Sequence, residues 1–217
     1  VYDGLLKKYV KPGTKNNVQL AYVDYGSLKQ DPAWPVALSR LEQFSPENLS
    51  SRAERLAFYI NAYNLLAIKK IVDHHPLQSI KDAGRFGQVW KSTAGKIGGK
   101  DHSLDQVEHK ILRPMGEPRI HFAIVCASVS CPDLRREAFR AVSLEKQLEE
   151  QTRIFLASIR GVRVDGATFQ VSKILDWFAK DFQSSGGVEN FVLKYRPDLK
   201  GKKMRGSIPY DWALNGR

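Results

Sequence analysis

A long helical pattern between residues 52 and 74 constrains the fold of this chain more than any other feature. Its apolar side chains recur at helical spacing and form a single stripe, made of Leu56, Ile60, Tyr63, Ala67 and Ile71. The segment begins with a capping box, in which the side chains of Ser51 and Glu54 satisfy free backbone amides. We therefore predict one long central helix with its apolar face packed against the rest of the chain.

Two asparagines, Asn61 and Asn64, lie beside this stripe in an otherwise nearly apolar stretch. Asparagine is a mediocre helix former because its amide competes for backbone hydrogen bonds, and a buried amide without partners costs about 1–3 kcal/mol. One interpretation is that the two amides tie a neighbouring loop to the helix. The other is that one of them orients a catalytic group.

The remaining patterns predict a mixture of helices and short strands. Turn dipeptides predict hairpins at Gly98-Gly99 and at Asp165-Gly166. The run IHFAIVCA is apolar at almost every position, which is typical of a strand covered on both faces, so we expect a buried strand at about 120–127. The predicted fold class is α+β, with a central, mostly antiparallel sheet packed by helices. The 217 residues suit a single domain, with residues 1–50 as an N-terminal helical arm and residues 51–215 as the core.

The composition is ordinary for a soluble globular protein, with 42% hydrophobic and 26% charged residues. No run approaches the roughly 18 to 20 apolar residues that a transmembrane helix needs. The net charge of +11 favours an acidic partner, but no zinc-finger or ribonucleoprotein motif indicates specific binding of nucleic acid. Because the chain begins with Val1 rather than methionine, a removed export signal is compatible with the sequence.

Both cysteines of the chain, Cys126 and Cys131, lie in the stretch RIHFAIVCASVSCPDLR. Cys126 ends the apolar run, where a small core residue is common, whereas Cys131 follows in an irregular loop, where catalytic groups tend to lie. His121 and Cys126 are separated by an odd number of residues, so a regular strand would place them on opposite faces. We therefore prefer Cys131 as a thiol nucleophile, with Cys126 as its substitute.

A histidine that could activate this thiol lies on the short helix before the apolar run. Asp105 and His109 are four residues apart and share one helical face. A carboxylate beside an imidazole fixes its tautomer and raises its pKa. We predict His109 as the general base, with His121 as its substitute and Asn61 or Asn64 as the orienting group.

Three other interpretations of the cysteines remain open. A zinc site made of Cys126, Cys131, His109 and His121 has suitable ligand types, but its spacing does not match the usual short ligand clips. A disulfide between the two cysteines is geometrically possible if the turn folds back, and an oxidising compartment would permit it. The two thiols could also be unrelated structural residues.

Five motifs of the chain, in this order, resemble the family filed as domain of unknown function 547: FYINAYNLLAIKKIVDHHPLQSI, HSLDQVEHKILRP, RIHFAIVCASVSCPDLR, RGVRVD and PYDWALN. The resemblance runs from about residue 25 to residue 215. The family's signature positions fall on polar residues of these motifs, namely Asn61, Asn64, Glu108, His109, Arg113, His121, Cys126, Ser128, Cys131 and Pro132. Because many bacterial members look exported, the resemblance implies a periplasmic or cell-envelope location, with a cytoplasmic one as the alternative.

We predict a thiol-dependent enzyme that performs acyl transfer or hydrolyses an amide or ester, with no cofactor and no metal in its site. The alternative is a non-catalytic binding module for a small peptide, a thiol compound or an acidic partner, and a zinc-binding protein is a weaker one. We expect the ligand to be contacted by Glu108, Arg113, Ser128, Ser130 and Arg135. A distant relationship to papain-like or transglutaminase-like folds rests on analogy, because the central helix here carries asparagines where those proteins carry the nucleophilic cysteine.

Overall fold

The structure is a computed structural model that describes residues 1–84 and 88–217. Within these ranges the α-helices are α1 (Tyr2–Tyr9), α2 (Tyr25–Lys29), α3 (Ala33–Gln43), α4 (Arg52–His74), α5 (Leu144–Ala157), α6 (Lys173–Trp177) and α7 (Gly187–Tyr195). The β-strands are β1 (Val10–Lys15), β2 (Val18–Val23), β3 (Thr93–Ile97), β4 (Lys100–Ser103), β5 (Val162–Asp165), β6 (Thr168–Ser172) and β7 (Lys203–Ile208). A π-helical segment covers Gln106–Leu112, and short 3-10 helices include Pro118–Phe122 and Ala179–Ser185. This mixture confirms the predicted α+β class.

The predicted central helix is α4, and it begins at the predicted capping box. The Glu54 amide donates to Ser51 Oγ at 3.1 Å, and the Ser51 amide donates to the Glu54 carboxylate at 2.9 Å. All five side chains of the predicted apolar stripe are buried. Among the helices within residues 1–84 and 88–217, none combines the length and apolarity that crossing a membrane requires.

The described strands form three small sheets instead of the predicted central one. Strands β1 and β2 pair antiparallel, β3 and β4 pair antiparallel, and β6 joins β5 antiparallel and β7 parallel. The hairpins predicted at Gly98-Gly99 and Asp165-Gly166 are confirmed as the β3–β4 and β5–β6 turns. The prediction of a central sheet is wrong because its expected middle strand does not form.

The apolar run at 120–127 is buried but is not a strand. It begins in the 3-10 helix Pro118–Phe122 and continues without regular structure. Asn64 of α4 donates from Nδ2 to the Ala123 carbonyl at 2.9 Å and accepts the Val125 amide at 2.8 Å. Because this one side chain satisfies buried backbone groups of the run, no neighbouring strand is needed there. The apolar pattern therefore predicted burial correctly and its backbone geometry wrongly.

The first 50 residues, predicted as a helical arm, also contain the β1–β2 hairpin. Buried residues of this region, among them Leu5, Val10 and Val23, belong to the same hydrophobic cluster as the apolar face of α4. The N-terminal region is thus packed against the central helix by apolar contacts.

A second hydrophobic cluster lies around β5, β6, α6 and α7. Neighbouring residues of the 118–131 segment divide between the two clusters, since Ile120 and Ile124 belong to the first and Phe122 to the second. His121, which lies between them in the chain, is therefore held at the boundary of the two cores.

Candidate functional site

A cavity of about 380 Å³ opens beside this boundary. It is lined by residues from α4, the π-helical segment, the 118–131 segment, α6 and the C-terminal stretch. These residues are Tyr63, Trp90, Lys91, Asp105, Glu108, His109, His121, Ile124, Cys126, Cys131, Ile174, Trp177, Phe178, Tyr210 and Trp212. Concave sites with apolar walls and a few convergent polar groups are typical of ligand-binding and active sites, so this cavity is the candidate functional site.

Cys126 and Cys131 meet at the cavity as a disulfide, and neither cysteine is free. Of the four interpretations left open by the sequence, the disulfide is therefore the one found in the structure. The two sulfurs are not equally accessible, because Cys131 is only 3% exposed whereas Cys126 is partly exposed. An odd separation places His121 and Cys126 on opposite faces only in a regular strand, and no strand forms between them. Both residues line the cavity.

Hydroxyl groups and one amide surround the two sulfurs. The Tyr210 hydroxyl lies 3.1 Å from Cys126 Sγ and 3.2 Å from Cys131 Sγ, and it is 2.8 Å from Ser128 Oγ. The Cys126 amide donates to Cys131 Sγ at 3.0 Å. Burial raises the pKa of Tyr210, so its hydroxyl keeps its proton and remains a donor. Tyr210 belongs to the PYDWALN motif, but its position beside the two sulfurs was not predicted from the sequence.

His121 forms the main polar pair of the cavity with Asp181, a residue that sequence reasoning missed. His121 Nε2 is 2.7 Å from Asp181 Oδ2, and the imidazole stacks on Phe178 with ring centroids 4.1 Å apart. Burial lowers the pKa of His121, although the Asp181 carboxylate acts in the opposite direction. The neutral imidazole must donate its proton from Nε2, because a carboxylate only accepts hydrogen bonds. This tautomer leaves the lone pair of Nδ1 without a partner among the described residues.

Arg113 holds Asp181 in place and also determines what His109 can do. Its guanidinium donates two bonds to Asp181, each 2.7 Å long, and a third to His109 Nδ1 at 2.8 Å. Although burial acts to raise it, the bonds from Arg113 and His121 hold the pKa of Asp181 well below its usual range. The lone pair of His109 is thus occupied by Arg113, and its proton lies on Nε2, 3.8 Å from Asp105. The geometry therefore suits His121, and not His109, to the role of base.

Glu108, on the π-helical segment, is a buried carboxyl group in the cavity wall. Burial raises its pKa to about 7, and the Tyr63 hydroxyl, which donates to it at 3.3 Å, acts in the opposite direction. Such a group changes protonation near neutral pH. π-helical turns are frequent at functional sites. The π-helical segment here contributes Glu108 and His109 to the cavity lining.

The two asparagines of α4 serve as structural ties. Asn64 holds the 118–131 segment, and Asn61 holds Phe139 by donating to its carbonyl at 2.8 Å and accepting its amide at 2.9 Å. The interpretation that they fix neighbouring loops is confirmed. Neither contacts an imidazole, so the orienting position beside His121 is occupied by Asp181 instead. Asp181 follows His121 by 60 residues and has no distinguishing local pattern, which is why the sequence did not indicate it.

Two of the predicted ligand contacts lie away from the cavity lining. Ser130 Oγ accepts the Asp211 amide at 2.8 Å and so fixes the C-terminal stretch. Arg135 forms ion pairs with Glu137 and Glu150. Among the remaining predicted residues, Glu108 lines the cavity directly, whereas Arg113 and Ser128 contact the lining residues His109 and Tyr210.

Four aromatic residues of the cavity lining, which we call the rim, form a cluster that was not predicted from the sequence: Trp90, Trp177, Tyr210 and Trp212. Trp212 contacts Tyr210, Trp90 and Trp177, with ring centroids 4.4, 5.5 and 5.7 Å apart. Lys81 Nζ lies 4.0 Å above the ring of Trp212. Trp177 is 46% exposed, so part of this aromatic lining is open to solvent. Aromatic faces of this kind favour apolar, aromatic or peptide-like ligands.

The zinc alternative finds no support in the arrangement of side chains. Within residues 1–84 and 88–217, no group of three or more histidine, cysteine, aspartate or glutamate side chains is placed to hold a metal ion. The cysteine sulfurs bind each other, and the two histidines bind Asp181 and Arg113.

Comparison with known proteins identifies the family. No curated protein and no solved structure matches the chain significantly. A family model described as "Protein of unknown function, DUF547" matches residues 46–156, about half of the chain. The matched range contains α4, the π-helical segment and both cysteines, whereas Asp181, Tyr210 and the third sheet lie beyond it. The chain therefore belongs to the DUF547 family.

Proposed function

We propose that the protein, once its disulfide is reduced, is a thiol-dependent enzyme that transfers or hydrolyses an acyl group. Cys126 is the nucleophile, His121 the general base and Asp181 the group that orients the base. One observation carries the proposal: His121 donates a hydrogen bond from Nε2 to Asp181, and it lines the same cavity as Cys126. A nucleophile, a base and a carboxylate that fixes the base form the usual set for acyl transfer.

Each group has a defined task in this mechanism. The Cys126 thiol passes its proton to His121 Nδ1, and its sulfur forms a bond with the carbonyl carbon of the substrate. The negative charge that develops on the carbonyl oxygen is stabilised by the hydroxyls of Tyr210 and Ser128, both of which contact Cys126 Sγ. The imidazolium then protonates the leaving group, and water or a second acceptor releases the acyl group. Asp181 stays ionised throughout because Arg113 holds it.

The walls of the cavity favour an acyl group with an apolar or aromatic body. Trp90, Trp177 and Trp212 line the cavity and are at least partly exposed, whereas Ile124 and Ile174 of the lining are buried. A volume of about 380 Å³ accommodates a drug-sized or dipeptide-sized molecule. Amides and esters of aromatic or branched acids are therefore the proposed substrates.

The test uses protein that has been fully reduced and freed of reductant. A p-nitrophenyl ester of an aromatic acid should give a burst of about one equivalent of nitrophenol, and mass spectrometry should place the acyl group on Cys126. Cys126→Ser should abolish the burst, and Cys131→Ser should retain it. His121→Asn should slow it by about 10²–10⁴-fold, the usual contribution of a general base.

His102→Asn is the matched control, because His102 contacts the Lys100 carbonyl and does not line the cavity. It should leave the burst unchanged. An acyl group found on a lysine, or a burst that survives in Cys126→Ser, would refute the proposed nucleophile. A burst that is insensitive to His121→Asn would refute the proposed base.

The closed disulfide favours a second candidate, a non-catalytic module that binds a small peptide or thiol compound in the same cavity. In this case the oxidised protein binds its ligand without turnover. The tryptophans of the rim provide the readout, since a bound ligand changes their fluorescence. Binding of N-acetyl aromatic dipeptide amides by the oxidised protein, together with no ester burst after reduction, would favour the module.

We also propose that the protein acts in the periplasm or cell envelope and has an acidic partner. Disulfides form mainly in oxidising compartments, and a net charge of +11 attracts polyanions. Fractionation of cells that produce the full-length protein tests the location. Retention on an anionic polymer that falls steeply with salt tests the charge-driven partner.

A further inference from the structure

We infer that the Cys126–Cys131 disulfide is redox-active toward small thiols, with Cys126 as the sulfur that is attacked and Cys131 as the leaving group. The inference goes beyond acyl transfer, because it assigns an oxidation–reduction reaction to the cavity. It does not require the acyl-transfer proposal to be correct.

The two sulfurs differ in how accessible they are to an incoming thiol. Both line the cavity, but Cys131 is only 3% exposed while Cys126 is partly exposed. A thiolate that enters the cavity therefore reaches Cys126 Sγ first. Thiol–disulfide exchange depends on which sulfur can be approached as well as on the stability of the thiolate that leaves.

The surroundings of Cys131 suit a leaving thiolate. The Cys126 amide already donates to Cys131 Sγ at 3.0 Å, and the Tyr210 hydroxyl lies 3.2 Å from the same sulfur. Hydrogen bonds to a charged form favour that form. Two hydrogen-bond donors thus lie at Cys131 Sγ, the atom that becomes negatively charged when the disulfide breaks. Donors placed in this way stabilise an oxyanion in acyl transfer by the same effect.

The segment that carries Cys131 is held independently of the disulfide. Arg160, itself buried, donates to the Cys131 carbonyl at 2.8 Å and to Asp133 Oδ2 at 2.8 Å. The Val129 amide donates to the Ala213 carbonyl at 2.8 Å. Breaking the sulfur–sulfur bond therefore leaves the loop in place, and reduction can occur without unfolding.

The reaction consumes two equivalents of a small thiol. The first, as a thiolate, attacks Cys126 Sγ, the disulfide bond breaks, and its electron pair goes to Cys131 Sγ, which takes a proton from solvent. The second thiolate attacks the small-thiol sulfur of the mixed disulfide and releases the Cys126 thiolate, which is also protonated from solvent. In total, two thiols are oxidised to one small disulfide, and the protein disulfide is reduced to two thiols.

This reaction also regulates the site of the proposed enzyme, because only the reduced form has a nucleophilic Cys126. The two proposals fail in different ways. If the disulfide cannot be opened in the folded protein, the redox inference fails, and acyl transfer is still tested on protein that was reduced in denaturant and refolded. If the disulfide opens readily but no acyl group is captured, acyl transfer alone fails.

The experiment measures both the rate and the site of attack. Folded protein is mixed with glutathione at pH 8, quenched with excess iodoacetamide and mapped by mass spectrometry. We expect glutathione on Cys126 and the alkyl group on Cys131. Tyr210→Phe removes one donor to the leaving thiolate and should slow reduction by dithiothreitol by about tenfold to a hundredfold.

Tyr59→Phe is the matched control, since Tyr59 lies on α4, contacts Phe58 edge-to-face and does not line the cavity. It should leave the reduction rate unchanged. The site of attack is read on the unmodified protein, so the inference is tested even if Tyr210→Phe fails to fold. Glutathione on Cys131, reduction that needs denaturant, or equal rates for the two tyrosine variants would overturn it.

Discussion

Glu108→Gln is expected to remove a loss of stability that the original protein suffers as the pH rises, because Glu108 is a buried carboxyl group. The pKa of Glu108 in the folded protein is about 7, against an ordinary value of 4.5, because burial disfavours the charged form. Below the ordinary value, Glu108 is protonated in both the folded and the unfolded state, and its contribution to stability is fully present. As the pH rises toward 7, the unfolded chain releases the proton while the folded protein retains it, so stability falls.

The magnitude follows from the two pKa values. A gap of about 2.5 pKa units, at about 1.4 kcal/mol for each unit, corresponds to about 3 kcal/mol of stability lost between acid pH and pH 8. Glutamine is neutral at every pH, and its amide oxygen can still accept the Tyr63 hydroxyl. We therefore compare the free energy of unfolding of the variant with that of the original protein at each pH. This difference, taken as variant minus original, should be about 3 kcal/mol larger at pH 8 than at pH 4.

Urea unfolding, followed by circular dichroism at constant ionic strength between pH 4 and pH 8, measures this difference. Glu189→Gln, on the exposed surface of α7, controls for the substitution itself and should show no comparable trend. The reasoning is refuted if the stability difference between the original protein and Glu108→Gln stays constant across this range. In that case the carboxyl group would be charged in the folded state at neutral pH and well solvated.

Three further predictions concern the polar groups that hold the site. Asn64→Ala should destabilise the protein by about 2–4 kcal/mol in urea unfolding, because it leaves the Ala123 carbonyl and the Val125 amide without partners in a buried region. Ser51→Ala removes the cap of α4 and should cost about 1 kcal/mol in the same assay, and a change below 0.3 kcal/mol would contradict the capping role. Asp181→Asn should lower the pKa of His121 further, because the carboxylate that favours the imidazolium is lost, and an NMR titration of the ring measures this shift. A rise in that pKa would contradict the assigned pairing.

The local features of this fold were readable from the chain because they depend on residues a few positions apart. The capping box of Ser51 and Glu54, the turns of the β3–β4 and β5–β6 hairpins and the apolar stripe of α4 each arise from such short-range interactions and were predicted. The β1–β2 hairpin was not predicted. The burial of the run at 120–127 was also predicted from its apolar composition. Its backbone conformation was not, because Asn64, more than 50 residues earlier, satisfies the groups that a neighbouring strand would otherwise satisfy.

The assignment of roles in the candidate site depended on long-range packing. His121 meets Asp181, and the two sulfurs meet Tyr210, only because residues up to 84 positions apart converge at the boundary of the two hydrophobic cores. Residue types alone drew attention to Cys126, Cys131, His109 and His121. The contact of Arg113 with His109 spans only four residues and follows helical spacing. The contacts of Arg113 and His121 with Asp181 span 68 and 60 residues, and no local pattern encodes them.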